Sequence, residues 1–597
     1  MNFLRIPGLA AFLAAASAFA ADDGLAGSVS DLLHSQAAGA VHWQAWDASI
    51  VERAKASGKP VYVFAGSQLN ELTRATCRQT FANAEVASFL NANFFCVIVD
   101  RDEQPGLAAA IQYFLKSVKQ QDGWPAHLWL TPELQPYEGA AYLPPSEEWG
   151  KPSFMKVARQ AAEAWSGDAK ACRARAADAV ALMKSEPDLP LPVEGAPPKL
   201  EAQVADAIAA WRATADAASG GFGTAPKALE PELLQVLLAR GPADHDLAVA
   251  ALHAIVNGAA RDPLDGGFFA RTTDAAWKVP YFQKSLADQA RIVLALLDAA
   301  HGGSDPAFAS AARGALDYTL SRLALPSGGL AAAEDATGDE SSGYYTWTEA
   351  EIDSVLGPDS AAFKKAYAIA TAGNISADDD PSAHFKGRNV LRRATPAGSA
   401  GEEAALAASA RKLLTTRLQR PLPPRRERAT AAAQGLALAA FSRAAGELPE
   451  PRFAAAAAKL YAALRRDYLT GASDLRHLAA PSVAGGPADY AAVAFGCRAF
   501  AHLGKHPEAA ALADRLVARA DALFLDGAHG RYLATAASLA PGIFVRAPAT
   551  GDVPSAECLA VMAGLPADTK AGVVRTLAAS LEAGTAPPGD ALLALTR

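Results

Sequence analysis

The chain has 597 residues, 51% hydrophobic and 20% charged, with a formal net charge of −8. That length is too great for one core and fits two or more domains. A mildly acidic chain without a dominant basic patch argues against nucleic acid and anionic membrane as partners.

Residues 1–20 hold Arg5, an apolar run and a small-x-small ending at Ala18-Phe19-Ala20. They predict a secretory signal cleaved after Ala20, and hence export to the periplasm. No later stretch is apolar enough to span a bilayer, so no membrane span is expected after signal removal. Cys77, Cys96, Cys172, Cys497 and Cys558 are scattered without CxxC spacing and read as buried single thiols.

Residues 21–45 are a polar lead-in. Over 46–184 the pattern alternates: a helix near Ile50–Ala56, a buried strand Val61–Ala65, and a helix of about twenty residues with Asn70 as its N-cap. A strand Phe94–Val99 and a helix Leu107–Val118 follow. Asp122-Gly123-Trp124-Pro125 turns into the strand Ala126–Leu130, Thr131–Pro136 makes a hairpin, and Gly139–Leu143 returns. A long helix runs from about Ser153 to Lys184. This is the order of an α/β sheet of thioredoxin type.

Residues 185–198 are a proline-rich linker. From 199 to 597 the reading is helical, with segments at 200–213, 244–259, 306–323, 402–418, 429–446, 451–468, 488–504, 506–524 and 567–583. Twelve such helices, paired as hairpins, would close a double ring. The stretch 262–300 joins the Gly266-Gly267 bend to Trp277 and then to a long helix. Lys284 and Asp288, four residues apart, share one face of that helix. Similar bends occur at Gly220–Gly223, before Ala225-Pro226-Lys227, and at Gly328-Gly329, before Glu334-Asp335. These aromatic, acidic bends predict one rim of polar loops.

Taken in order, residues from about 42 to 562 resemble the thioredoxin-like family named after a spermatogenesis-associated protein. The first domain carries Trp46, Lys59-Pro60, Val99-Asp100-Arg101 and Gly123-Trp124-Pro125. The second carries Ala225-Pro226-Lys227, Asp265-Gly266-Gly267-Phe268, Trp277, Lys284, Tyr345, Trp347, Asn389-Val390-Leu391 and Asp489-Tyr490-Ala491. The resemblance implies a multidomain fold: an α/β thioredoxin-like domain followed by an all-α (α/α)6 toroid like those of six-hairpin glycosidases and sugar epimerases. It also implies a cis peptide bond before Pro125.

The departures matter for function. Where the family has Cys-His-Trp-Cys-His, this chain has Asn70-Glu71-Leu72-Thr73-Arg74. Disulfide chemistry needs two thiols on one turn at a helix N-terminus, so Asn70 and Thr73 mark a degenerate redox site. The family's Pro-His-Phe-Glu-Lys run reads Pro280-Tyr281-Phe282-Gln283-Lys284, and a potential acid and base are gone.

Sugar hydrolysis needs two carboxyls in different protonation states. Asp274, Asp288 and Asp489 are the catalytic candidates, and Asp265, Trp277, Lys284, Glu334, Asp335, Tyr345, Trp347 and Arg546 the ligand-binding ones. The plain structural alternative makes the aspartates loop caps and pairs Lys284 with Asp288. Eleven histidines without HxH or HxxxH spacing give no metal site, and no nucleotide-cofactor motif is found. Two readings stay open. One is a toroid that binds, or processes in a glycosidase- or epimerase-like way, a carbohydrate or small polar ligand. The other is a non-enzymatic binding or interaction protein.

Overall fold

The computed structural model describes residues 30–184 except 48, 69 and 149, with Leu25 and Ser28. It also describes 200–302, 305–335, 342–380, 384–395, 398–480, 483–504, 506–526, 530–533, 555–582 and 588–596. The expected signal segment, the expected linker and Arg546 lie outside the described residues. The chain divides into two compact units, Met1–Pro187 and Asp188–Arg597.

The first unit is built on a five-stranded sheet, β1 (Gln44–Ala45), β2 (Val61–Gly66), β3 (Phe95–Asp100), β4 (Ala126–Leu130) and β5 (Pro136–Ala140), in the order β1-β3-β2-β4-β5. The pairs β1–β3 and β2–β3 are parallel, β2–β4 and β4–β5 antiparallel. Every residue of β2, β3 and β4 is buried, because helices cover both faces. Those helices are α1 (Asp31–Gln36), α2 (Ile50–Ser57), α3 (Glu71–Ala75), α4 (Ala84–Asn93), α5 (Pro105–Lys119), α6 (Phe154–Gly167) and α7 (Ala169–Lys184). Tyr62, Phe64, Cys96 and Ile98 enter one core, and Val61, Val63, Val97 and Val99 the other, as period-two alternation requires.

The expected twenty-residue helix is interrupted. A π-helical turn, Thr76–Phe81, follows α3, and Asn83 starts α4 by accepting bonds from the Glu85 and Val86 amides. The returning strand also begins earlier than the pattern suggested, at Pro136.

The second unit is a toroid. Its helices are α8 (Leu200–Ala213), α9 (Pro231–Leu238), α10 (Pro242–Asn257), α11 (Leu286–Gly302), α12 (Pro306–Tyr318), α13 (Glu349–Leu356), α14 (Ser360–Tyr367), α15 (Ala400–Arg417), α16 (Ala431–Glu447), α17 (Pro451–Asp467), α18 (Pro487–Leu503), α19 (Pro507–Phe524), α20 (Ala556–Ala563), α21 (Ala567–Glu582) and α22 (Pro588–Thr596). Short strands β6 (Lys227–Ala228), β7 (Arg271–Thr272), β8 (Gln283–Ser285), β9 (Ala333–Asp335) and β10 (Arg425–Arg426) lie in its loops. Among the described residues six helices form a closed inner ring, each packed on the next: α9, α11, α16, α18, α20, α22 and back to α9. The alternating helices α8, α10, α12, α17, α19 and α21 pack around it. This is an (α/α)6 toroid.

Alanine and glycine make the inner contacts close. A Cβ on Gly496 would sit 2.3 Å from the Gly435 carbonyl oxygen, so α16 and α18 touch backbone to backbone. Helices α13–α15 are an insertion with its own core around Trp347, Ile352, Phe363 and Leu413.

Candidate functional site

Hydrogen bonds bring the N-terminal ends of the inner helices together. Ala432 N–H donates to Asp489 from α16 to α18, and Ser555 N–H to Asp590 from the start of α20 to α22. Arg291 of α11 reaches Glu232 of α9. This end of the ring holds two buried charge clusters of different character.

The first cluster sits in the loop between α10 and α11. Lys284 lies on β8, one strand ahead of α11, and not on the helix face that the spacing suggested. Its ammonium donates to Asp262 at 2.8 Å and Asp265 at 2.7 Å. Arg417, at the end of α15, closes the square at 2.8 Å to Asp262 and 2.9 Å to Asp265. Lys284 is 0% and Arg417 1% exposed by side chain, so the quartet is sealed. The ammonium also lies over the Phe269, Tyr318 and Tyr345 rings, and the Arg417 guanidinium over Tyr344 and Tyr345. Burial opposes ionisation of Asp262, but Arg417 and Lys284 outweigh it and hold its carboxyl below the usual range. Burial and the neighbouring Asp262 raise Asp265, against the same two cations. Glu334, on β9, accepts bonds from Tyr318 and Arg322 at 2.9 Å each. Beside the quartet, Arg261, Asp262, Phe269, Phe282 and Tyr345 line a cavity of about 10 Å³, room for about one water.

The second cluster lies where α22 meets α9. Glu232 takes a two-pronged bond from Arg291, 2.8 and 2.7 Å, and Asp288 lies 3.6 Å from the same guanidinium. Asp590, in the first turn of α22, accepts the Ser555 amide at 2.8 Å. Burial holds Asp590 up to about 7, Glu232 and Glu230 add to that, and Arg291 opposes it. Glu230 is itself raised, by burial and by Glu232. Among the described residues here, four carboxyls gather around one guanidinium. Glu230, Glu232 and Asp590 escaped the reading of the sequence. For Glu232 and Asp590 the signal was a repeated helix start, a proline or leucine followed at once or at the second residue by an acid: Pro231-Glu232, Leu286-Ala287-Asp288, Pro487-Ala488-Asp489 and Pro588-Gly589-Asp590.

The other candidates are dispersed. Asp274 caps its own loop, accepting from the Ala276, Lys278 and Val279 amides. Trp277 is buried against Gly221 and Gly258, and its indole N–H donates to the Gly220 carbonyl, to which buried Lys227 also donates. The glycine bend with Ala225-Pro226-Lys227 is therefore a staple. Trp347 lies in the core of the insertion, and Asp335 is buried 4.0 Å from Arg426. Asp489 caps α18 and bonds His477 at 2.8 Å. Asp265, Lys284, Glu334 and Tyr345 do meet, around the sealed quartet.

In the first unit Asn70 caps α3: its side-chain oxygen accepts from the Thr73 amide at 2.9 Å and the Thr73 hydroxyl at 3.2 Å. The Trp124–Pro125 bond is cis, as is Ala225–Pro226. All five cysteines are free and buried, and burial pushes the Cys77 thiol up to about 12. Among the described residues no group of three or more His, Cys, Asp or Glu is placed to hold a metal, and no helix is long and apolar enough to cross a membrane.

Residues 22–184 match the family model Thioredox_DsbH, described as "Protein of unknown function, DUF255". Spermatogenesis-associated protein 20 of Mus musculus is 27% identical over 430 residues, covering 67% of this chain and 54% of the mouse protein. The Homo sapiens protein is 28% identical over 377 residues, covering 59% and 48%. The chain is similar to these spermatogenesis-associated proteins, and its first unit matches the thioredoxin-like family model. It spans about half the length of the curated relatives it matches. Among solved structures, cellobiose 2-epimerase from Spirochaeta thermophila DSM 6192 is similar at 18% identity and a TM-score of 0.38, covering 67% of this chain and 82% of that one. The cellobiose 2-epimerase of Bacillus thermoamylovorans is similar at 8% identity and a TM-score of 0.38, covering 63% and 85%.

Proposed function

We propose that this is an exported member of the family in which the thioredoxin-type unit does no thiol chemistry and the toroid binds a hydroxyl-rich polar ligand of carbohydrate type. The ligand docks at the N-terminal end of the inner ring. One observation supports this most: Glu232, Asp288 and Asp590 collect there with Arg291, each from the first turns of an inner helix. Carboxylates accept hydroxyl hydrogen bonds and a guanidinium donates them, so the set suits vicinal hydroxyls. Asp590 keeps its proton near neutrality, whereas Glu232 carries the forked bond from Arg291. One protonated and one ionised carboxyl is the asymmetry that glycosidase- or epimerase-like acid–base chemistry uses.

The second reading, a binding or interaction protein without catalysis, is favoured by the sealed Asp262–Asp265–Lys284–Arg417 quartet and by the Asn70–Thr73 cap. A thermal-shift screen of the purified protein against mono- and oligosaccharides tests ligand binding, because a ligand of the native state raises the melting temperature. We expect a shift with at least one sugar, lost in Glu232→Gln and Asp288→Asn variants that keep native circular dichroism. An unchanged shift in both folded variants would move the site elsewhere.

A further inference from the structure

We infer that Asp590 is a proton-operated latch on the joint that closes the ring. The inner ring is completed by α22, the last described helix, which packs on α9 and α20. That joint is tight: a Cβ on Gly589 would lie 3.3 Å from the Leu233 amide nitrogen and 3.6 Å from Glu232 Cβ. Asp590 follows directly, 6% exposed, and its carboxyl ties α22 to the start of α20 through the Ser555 amide. The contact that closes the ring therefore sets Asp590 beside Glu232.

The groups that face it can be named helix by helix. Glu230 stands at the N-cap of α9 and Glu232 in its first turn, and Arg291, flanked by Asp288, comes from α11. Cys558 of α20, a fully buried thiol, is raised by burial and then by Asp590, Glu232 and Glu557, with Arg291 opposing. Glu557 bonds the Tyr532 amide at 3.1 Å. Helices α8 and α21 also pack on α22, but Glu201, Asp206, Arg212 and Arg575 are exposed and Lys570 is half-buried.

Three other carboxyls, Glu230, Glu232 and Asp288, already stand at this joint, and Arg291 is forked onto Glu232. A neutral Asp590 adds only a hydrogen-bond acceptor. An ionised one adds a further buried negative charge, which burial and repulsion disfavour. The direction follows from linkage. An aspartate in the unfolded chain titrates at about 3.9, whereas in the fold Asp590 titrates at about 7. Between those values the folded state holds a proton that the unfolded state has released. Stability from this group is therefore lost as pH rises from about 4 to 7, and stays lost above 7. The joint is tight in mild acid and loosens towards alkaline pH.

Hydrogen exchange followed by mass spectrometry on the full chain, at pH 5.5 and 8.0, tests this. Rates are expressed as protection, which removes the intrinsic pH dependence of exchange. We expect protection of 588–596 and 556–563 to fall by about tenfold or more between the two conditions, tenfold being one unit of pKa displacement. In Asp590→Asn the loss should disappear. Labelling of Cys558 at pH 8.0, read on its own peptide, should then be slower in Asp590→Asn than in the parent. If the parent shows no loss of protection, or the variant shows the same loss, the latch is refuted. Should Asp590→Asn fail to fold, Glu232→Gln replaces it. Removing that neighbouring charge must shrink the loss, and an unchanged loss again refutes the latch.

Discussion

The two charge clusters of the toroid lie at the same end of the ring and differ in balance. Around Lys284 and Arg417, two cations meet two aspartates, every oxygen of which receives a bond, beneath a roof of Tyr344, Tyr345 and Phe269. Around Arg291 the described carboxyls outnumber the guanidinium. A balanced, roofed cluster offers a ligand nothing, because the interactions it could give are already made. An unbalanced one stores repulsion that a proton, or a ligand with donors to give, relieves. Abundance of charged residues is thus a poor guide to a site, and their imbalance a better one.

Removing one cation from the balanced cluster gives the largest expected effect. Lys284→Met leaves Asp262 and Asp265 facing Arg417 alone inside a sealed core. Breaking a buried ion set from one side costs about 3–5 kcal/mol. Urea denaturation should show the toroid transition moved to lower concentration, with the unfolding free energy reduced by that amount. A variant as stable as the parent would mean that the quartet is not the anchor its geometry describes.

The unbalanced cluster should respond in the opposite sense. Asp590→Asn keeps an acceptor for the Ser555 amide and removes the charge that the joint disfavours. At pH 8 the variant should be more stable than the parent by up to about 4 kcal/mol, the roughly three units of displacement between about 4 and about 7. The gap should shrink as pH falls below 7 and vanish below about pH 3, where Asp590 is protonated in both states. A variant less stable at pH 8 would show that the carboxylate is held by attraction and not merely tolerated.

Much of this contrast could not be read from the sequence. Lys284 and Asp288 at i and i+4 invite a helix-face pair, but the chain turns to strand at Gln283–Ser285. Lys284 then finds Asp262 and Asp265 across a loop, and Arg417 joins Asp262 from 155 positions away. No local pattern encodes such a partner. Local physics was legible: Asn70 as a cap and the buried strands at Val61 and Phe95 follow from neighbouring residues. The carboxyls at the ring's closing joint stand between these cases. The helix starts that carry them recur along the sequence, but that they face one another follows only from closure of the ring.

The smallest expected effect sharpens the contrast from the other unit. Thiol exchange needs an ionised thiolate with a resolving partner within one turn. At the corresponding helix start this chain has Asn70 and Thr73, tied to each other by hydrogen bonds that satisfy the first turn. Cys77 lies one turn on, buried among Trp43, Phe64 and Phe81, its thiol pushed up to about 12. At pH 7 it is almost entirely protonated and shielded from a peptide disulfide. An insulin-reduction assay should therefore give the uncatalysed rate for the parent and for Cys77→Ala alike. Turnover that disappears in Cys77→Ala would make Cys77 a one-thiol catalyst and overturn the structural account of this unit. Turnover that survives the substitution would place thiol chemistry at one of the other buried cysteines.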